Sequence, residues 1–349
     1  MSSVTSDTPG SDSIGRLAEL IGGNPVDRLD TDIRHVLDTL EELGARPLEL
    51  STPERARRMP VAADAIRAIF ARQQRDLPED GVSTEDVEFA NGEVTLAARL
   101  YRPQGLLSRL NPVLLYFHGG GFVTGNLDSH DDSARALARR TGALVVSADY
   151  RLAPEHRFPA AHEDAIAAWR WLTREVHAFG GDARRIAVAG EDAGANLAAN
   201  VALAARDSYG IRPVHLLLIH PIAGHDFSTA SYGEALRARP IGMAAMRWRF
   251  RHLAADAQDL EDPRIDLATR NDLAGLPPTT VMLAQVDPLR SEGEALADAL
   301  SAAEVKTECW VYEGMTQGFF GLGQIVTRSL FAQADAASVL YRAFTTARA

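Results

Sequence analysis

Apolar residues recur along this chain at two different spacings, and the switch between them orders its elements. In TDIRHVLDTLEELG (31–44) they fall at helical spacing, and Thr52 with Pro53 gives an N-cap and first-turn proline for a second helix reaching about residue 75. VSTEDVEFANGEVTLAARLYRP (82–103) alternates instead, as two antiparallel strands joined near Asn91 and Gly92 would. Continuous apolar runs follow at PVLLYFH (112–118), ALVVSAD (143–149), RIAVAG (185–190), HLLLIHP (215–221), TTVMLAQ (279–285) and ECWVYEG (308–314), with helical stretches between them. Runs of this kind suit parallel strands covered on both faces. The pattern therefore predicts an α/β architecture, a mostly parallel central sheet with helices on both faces. SYGEALRARPIGMAAMRWRFRHLA (231–254) breaks the rotation with helix-like sequence and predicts half of a helical lid, the N-terminal helices supplying the other half. The lid segments span about 31–75 and 222–260.

Composition narrows the picture. With 349 residues, 46% of them hydrophobic, the chain can bury one large core, so residues 31–349 are read as a single domain. The opening MSSVTSDTPGSDS is polar, without a basic start or an apolar run, and reads as a disordered tail to about residue 30 rather than a signal peptide. A net charge of −11 disfavours nucleic acid and anionic membrane surfaces, and no apolar run is long enough to span a bilayer. The expected partner is a small molecule, with a homodimer left open. The single cysteine, Cys309, cannot form an intramolecular disulfide and is read as a core residue, which places the chain in the cytoplasm. No cofactor and no metal are expected.

Two glycine-bearing stretches carry the chemistry. HGGGF (118–122) leaves the first long strand run, and its glycines let free backbone N–H groups approach a negative oxygen, although alone it also fits a simple tight turn. GEDAG (190–194) sits where a strand runs into a helix. DYRLAPEHRFPAAHEDA (149–165), QVDPLRSEGEALADAL (285–300) and YEGMTQGFF (312–320) complete an ordered set. Together these motifs make the chain resemble the hormone-sensitive-lipase-like family of α/β-hydrolases, bacterial carboxylesterases among them, from about residue 30 to near the C-terminus.

The resemblance implies an α/β-hydrolase fold and assigns roles by position. In that family the elbow reads GDSAGG with a serine nucleophile, the DPL aspartate is the acid, and a histidine before GFF is the base. Those roles fall here on Asp192, Asp287 and Gln317, so only the acid keeps its residue type. Glu191 and Ala195 are milder departures. The oxyanion donors fall on Gly120, Gly121 and Ala193, with Gly119 and His118 shaping the loop.

A carboxylate and an amide cannot run serine-type ester hydrolysis, because attack needs a hydroxyl and an imidazole that moves its proton. The expectation from these residues is non-hydrolytic acid–base chemistry on a carbonyl-containing small molecule: lyase, dehydratase, cyclase or isomerase. Asp192 and Asp287 would share one pocket, repulsion and burial would raise at least one of their pKa values, and Gln317 would bridge them. Two alternatives stand beside it, a non-catalytic ligand-binding protein and a hydrolase using Asp192 in an unusual mechanism. His220 and His225, just after a strand, and His252 on the lid can replace the missing base, but packing or surface roles are the simpler reading for each.

Overall fold

The computed structural model describes residues 25–105, 110–208 and 210–347. Eight strands form one sheet: β1 (Val82–Asn91), β2 (Val94–Pro103), β3 (Asn111–Phe117), β4 (Leu144–Ala148), β5 (Gly181–Glu191), β6 (Leu216–Ile219), β7 (Thr279–Val286) and β8 (Thr307–Thr316). Their order is β1-β2-β4-β3-β5-β6-β7-β8. β1 pairs with β2, and β2 with β4, antiparallel, while every pair from β4 onward is parallel. The continuous apolar runs explain this: β4 and β6 are buried at every position, as strands covered on both faces must be.

The helices are α1 (Thr31–Glu42), α2 (Pro53–Ala56), α3 (Ala62–Arg72), α4 (Asp131–Thr141), α5 (Ala160–Glu175), α6 (Ala193–Asp207), α7 (Ala230–Glu234), α8 (Met243–Leu253), α9 (Ala257–Leu260), α10 (Arg290–Ala302) and α11 (Thr327–Thr346). Successive strand residues point to opposite faces, so Leu115 joins the core made with Trp169, Leu197 and Leu296 of α5, α6 and α10. Leu114 joins the other core, with Leu137 and Val339 of α4 and α11.

Of the segment read as a tail to residue 30, residues 1–24 lie outside the described residues. Residues 25–30 are built into the fold: Pro25–Arg28 form a 3-10 turn, Leu29 is buried, and Asp30 N–H donates to the Gly314 carbonyl at 3.0 Å. The segments 31–75 and 222–260 meet through Trp248 of α8, whose Nε1 donates to the Ser51 carbonyl at 3.0 Å. Among the described residues, no helix is long and apolar enough to cross a membrane.

Cys309 corrects the sequence reading, because it is exposed rather than in the core. β8 is an edge strand whose first half alternates, turning Cys309, Val311 and Glu313 outward. The two positions should respond differently to truncation. Leu115→Ala should cost about 2–5 kcal/mol in urea unfolding, the usual range for a buried leucine. Cys309→Ala should stay within about 0.5 kcal/mol of wild type, and comparable losses at both positions would refute this assignment of faces.

Candidate active site

The end of β5 and the start of α6 meet at Asp192, whose φ of +55° and ψ of −116° form a sharp turn that side chains other than glycine seldom adopt. The turn is held from both sides. Asp192 N–H donates to the Ile219 carbonyl at 2.9 Å, and its carbonyl accepts from Ile222 N–H at 3.1 Å. Gly194 is required one step on, because a Cβ there would collide with the Phe117 carbonyl of β3.

The second turn follows β3. His118 fixes it from below: Nδ1 lies 2.7 Å from the Gly119 carbonyl, Nε2 lies 2.9 Å from Asp149 Oδ1, and the ring stacks on Tyr150. Gly120 has a φ of +123° and no room for a side chain against the Thr124 carbonyl. This geometry turns the N–H groups of Gly120 and Gly121 in one direction, and both donate to Asp192 Oδ2 at 2.8 Å. Ala193, the first residue of α6, is fully buried beside them.

Two side chains complete the shell of Asp192, which is only 3% exposed. Gln317 Nε2 donates to Oδ1 at 3.0 Å, and Arg249 Nη1 lies 3.3 Å from Oδ1 and 3.2 Å from Oδ2. A buried carboxylate needs such partners, since an unpaired one would be costly by several kcal/mol. Sequence reasoning expected the glycine N–H groups to face a ligand oxygen. They face the Asp192 carboxylate instead, which reaches them from the adjoining elbow.

Asp287 follows β7 and accepts from Leu289 N–H at 2.9 Å through Oδ1. Burial pushes its carboxyl up to about 6, with the charge of Asp192 adding to the rise and that of His220 opposing it. Gln317 does not bridge the two acids as expected. Its amide donates to Asp192, and among the described residues both Asp287 Oδ2 and Gln317 Oε1 are buried without a hydrogen-bond partner.

Two further groups were undervalued by sequence reasoning. Glu191, read as a mild departure, is buried, accepts from Tyr116 Oη at 2.6 Å, and lies 3.5 Å from His220 Nε2. Burial works to raise its pKa, but the His220 hydrogen bond and the nearby charges of His130 and His220 prevail and hold it at about 2. His220 itself lines the cavity, whereas His225 pairs with Glu261 and His252 packs against Trp248, both away from it. Burial opposes protonation of His220, yet the Glu191 hydrogen bond and the charge of Asp287 raise its pKa above the usual histidine value. Arg249 escaped notice altogether, for nothing in RWRF separates an inward arginine from a solvated one.

Above this cluster lies a cavity of about 930 Å³, lined by Ile33 and Leu37 of α1, Ala56 of α2, Ile241 and Arg249 beside the elbow, and Gln317. It is of a size that accepts a small organic molecule.

Comparison with known proteins places these features. The family model described as alpha/beta hydrolase fold matches residues 114–321. Esterase LipI of Mycobacterium tuberculosis is 39% identical over 270 residues, covering 75% of this chain and 84% of the relative. Carboxylesterase NlhH of Mycobacterium tuberculosis is 38% identical over 293 residues, covering 81% and 91%. Among solved structures, ester-hydrolase EH1AB1 from the metagenome of Lake Arreo, in complex with a bipyridine phosphonate derivative, superposes with a TM-score of 0.80 at 36% identity, covering 91% of this chain and 99% of that one. These relatives overturn the expectation of lyase, dehydratase, cyclase or isomerase chemistry, and they point away from a non-catalytic binder. Across three quarters or more of the chain, the similarity is to proteins named for ester hydrolysis.

The shifted carboxyl of Asp287 makes stability depend on pH. Its folded pKa of about 6 exceeds the value near 3.9 of an unfolded aspartate. Its stabilising contribution is therefore present below about pH 4 and lost as pH rises through 6. Asp287→Asn has no charge to bury, so its stability relative to wild type should improve by about 2–3 kcal/mol between pH 4 and pH 8, read from urea unfolding at both. A difference independent of pH would rule out a buried, titrating Asp287.

Proposed function

We propose that this chain, which belongs to the α/β-hydrolase fold family, hydrolyses carboxylic esters, and that it does so by direct attack of water with Asp192 as the base. The observation that carries the reading is an anionic oxygen, that of Asp192, held at 2.8 Å by both Gly120 and Gly121 N–H on a strained strand-to-helix elbow. The tetrahedral intermediate of ester hydrolysis presents an oxygen of the same charge to the same kind of donors. In this reading Asp192 and Gln317 stand where the resembling esterases carry serine and histidine, so no acyl-serine forms.

An incoming ester places its carbonyl oxygen on the Gly120 and Gly121 N–H groups, displacing the Asp192 carboxylate to the acyl carbon's side. Gln317, donating to the other carboxylate oxygen, keeps it oriented. Water attacks the carbonyl carbon while Asp192 takes its proton, and the carbonyl π-electrons move onto the oxygen in the hole. As the intermediate collapses, the C–O bond to the leaving group breaks and Asp192 returns the proton to the departing alkoxide. The products are a carboxylic acid, which ionises, and an alcohol. The cavity above admits the acyl and alcohol groups, with apolar walls from Ile33, Leu37 and Ile241.

The measurement is initial-rate hydrolysis of p-nitrophenyl acetate and butyrate against heat-denatured protein. Wild type should exceed that control, and Asp192→Asn, which keeps shape and removes the base, should lose about 10²–10⁴ in kcat with KM changed little. A fluorophosphonate probe should leave residue 192 unlabelled. Asp192→Ser combined with Gln317→His should then be labelled by the same probe and show an acyl-enzyme burst. Absence of ester turnover in folded wild type, or an undiminished rate in Asp192→Asn, would reject the proposal.

A further inference from the structure

The oxygen that occupies the glycine donors has a third neighbour. Arg249 Nη1 lies 3.2 Å from Asp192 Oδ2, the atom bonded by Gly120 and Gly121 N–H. We propose that Arg249 is a catalytic residue, a charged side-chain donor added to the backbone donors of the oxyanion site and brought to it by a lid helix; the inference rests on the hydrolytic reading above.

Arg249 is built into this position. It is 5% exposed although it belongs to α8 of the lid, and its stem lies so close to Gly121 that any side chain at 121 would collide with Arg249 Cδ. Glycine at 121 thus admits the arginine as well as freeing a backbone donor. The guanidinium is incompletely paired. Among the described residues, Nη1 contacts Met246 Sδ at 3.4 Å besides Asp192, and Nε is buried with no hydrogen-bond partner. A cation with spare donors beside two N–H groups suits an oxygen that gains a full negative charge during reaction.

The chemistry needs no proton from Arg249. Guanidinium stays ionised throughout the pH range of proteins and acts by charge and hydrogen bonding. In a site shielded from water, a charged donor holds an oxyanion more strongly than a neutral N–H of similar geometry. A neutral ester carbonyl gains less from it than the intermediate does, so the contribution falls on kcat rather than KM.

The site is then complete only when α8 is seated. Trp248, one residue earlier, bonds the Ser51 carbonyl, and the Leu253 carbonyl at the end of α8 accepts from Phe158 N–H at 3.0 Å. Backbone donors come from the rigid turn after β3 and the charged one from the lid, which couples lid closure to chemistry.

The decisive test separates an oxyanion donor from a counter-ion that merely neutralises Asp192. Asp192→Ala vacates the carboxylate position, and acetate titrated calorimetrically into that variant should occupy it. Adding Arg249→Gln should weaken acetate binding at least about tenfold, with Arg249→Lys in between, while neutral acetamide binds all three alike. If Arg249→Gln does not fold, the Arg249→Lys pair carries the comparison. Equal acetate affinity with and without the arginine in folded protein overturns the proposal. In the Asp192 protein, Arg249→Gln should lower kcat on p-nitrophenyl butyrate about 10²–10³-fold, the usual effect of losing one oxyanion donor, with KM nearly unchanged. A rise in KM alone would indicate a packing role and refute it. Should wild type turn over no ester, the hydrolytic reading fails, while the acetate titration still decides whether Arg249 is an anion donor at this position.

Discussion

The buried charge of Asp192 organises the whole site. Three segments meet on the carboxylate that the elbow presents: the glycine turn after β3, the loop after β8 through Gln317, and α8 through Arg249. Each supplies a donor, and together they leave neither carboxylate oxygen bare. Removing any one of them would leave part of a nearly inaccessible charge uncompensated, a more serious loss than that of an ordinary surface pair. The strained backbone at 192 is tolerated for the same reason, since bonds to Ile219 and Ile222 leave it no other conformation.

Around that centre the fold limits how much negative charge accumulates. Glu191, Asp192 and Asp287 lie in one buried region, with Arg249, His220 and His130 among the groups that offset them. The acids divide accordingly. Glu191 is held low beside His220, Asp192 lies against Arg249, and burial pushes the Asp287 carboxyl up to about 6. Glu191 and Asp287 thus shift in opposite directions because of their surroundings.

Much of this was legible in the sequence. The apolar runs located β3 to β8 to within a few residues, because strands buried on both faces leave an unbroken signal. The glycines of 118–122 and 190–194 marked both turns for a backbone reason that survives without coordinates: nothing larger fits. What stayed hidden were contacts made by reach. Arg249 occupies an ordinary-looking helix position, and its inward direction depends on the room left at Gly121 more than 100 residues away in sequence. Glu191 reads as a conservative difference until Tyr116 and His220 are seen to grip it. Cys309 was misjudged because a strand run does not tell an edge from a centre. The error in reaction class had another cause. Asp192 and Gln317 are two positions, whereas the similarity to esterases extends over most of the chain's length.

The hydrogen bond from Trp248 to the Ser51 carbonyl looks like minor packing, yet under the proposed role of Arg249 it gives residues 31–75 a mechanical part in catalysis. The indole is the residue next to Arg249, so the two lid halves, some 200 positions apart in sequence, act as the jaws of a clasp with the guanidinium at its hinge pin. Under the proposed role of Arg249, whatever loosens residues 31–75 would also let its positive charge drift from Asp192. The opening stretch of the domain is in that sense a tensioning element for an electrostatic contact it never touches.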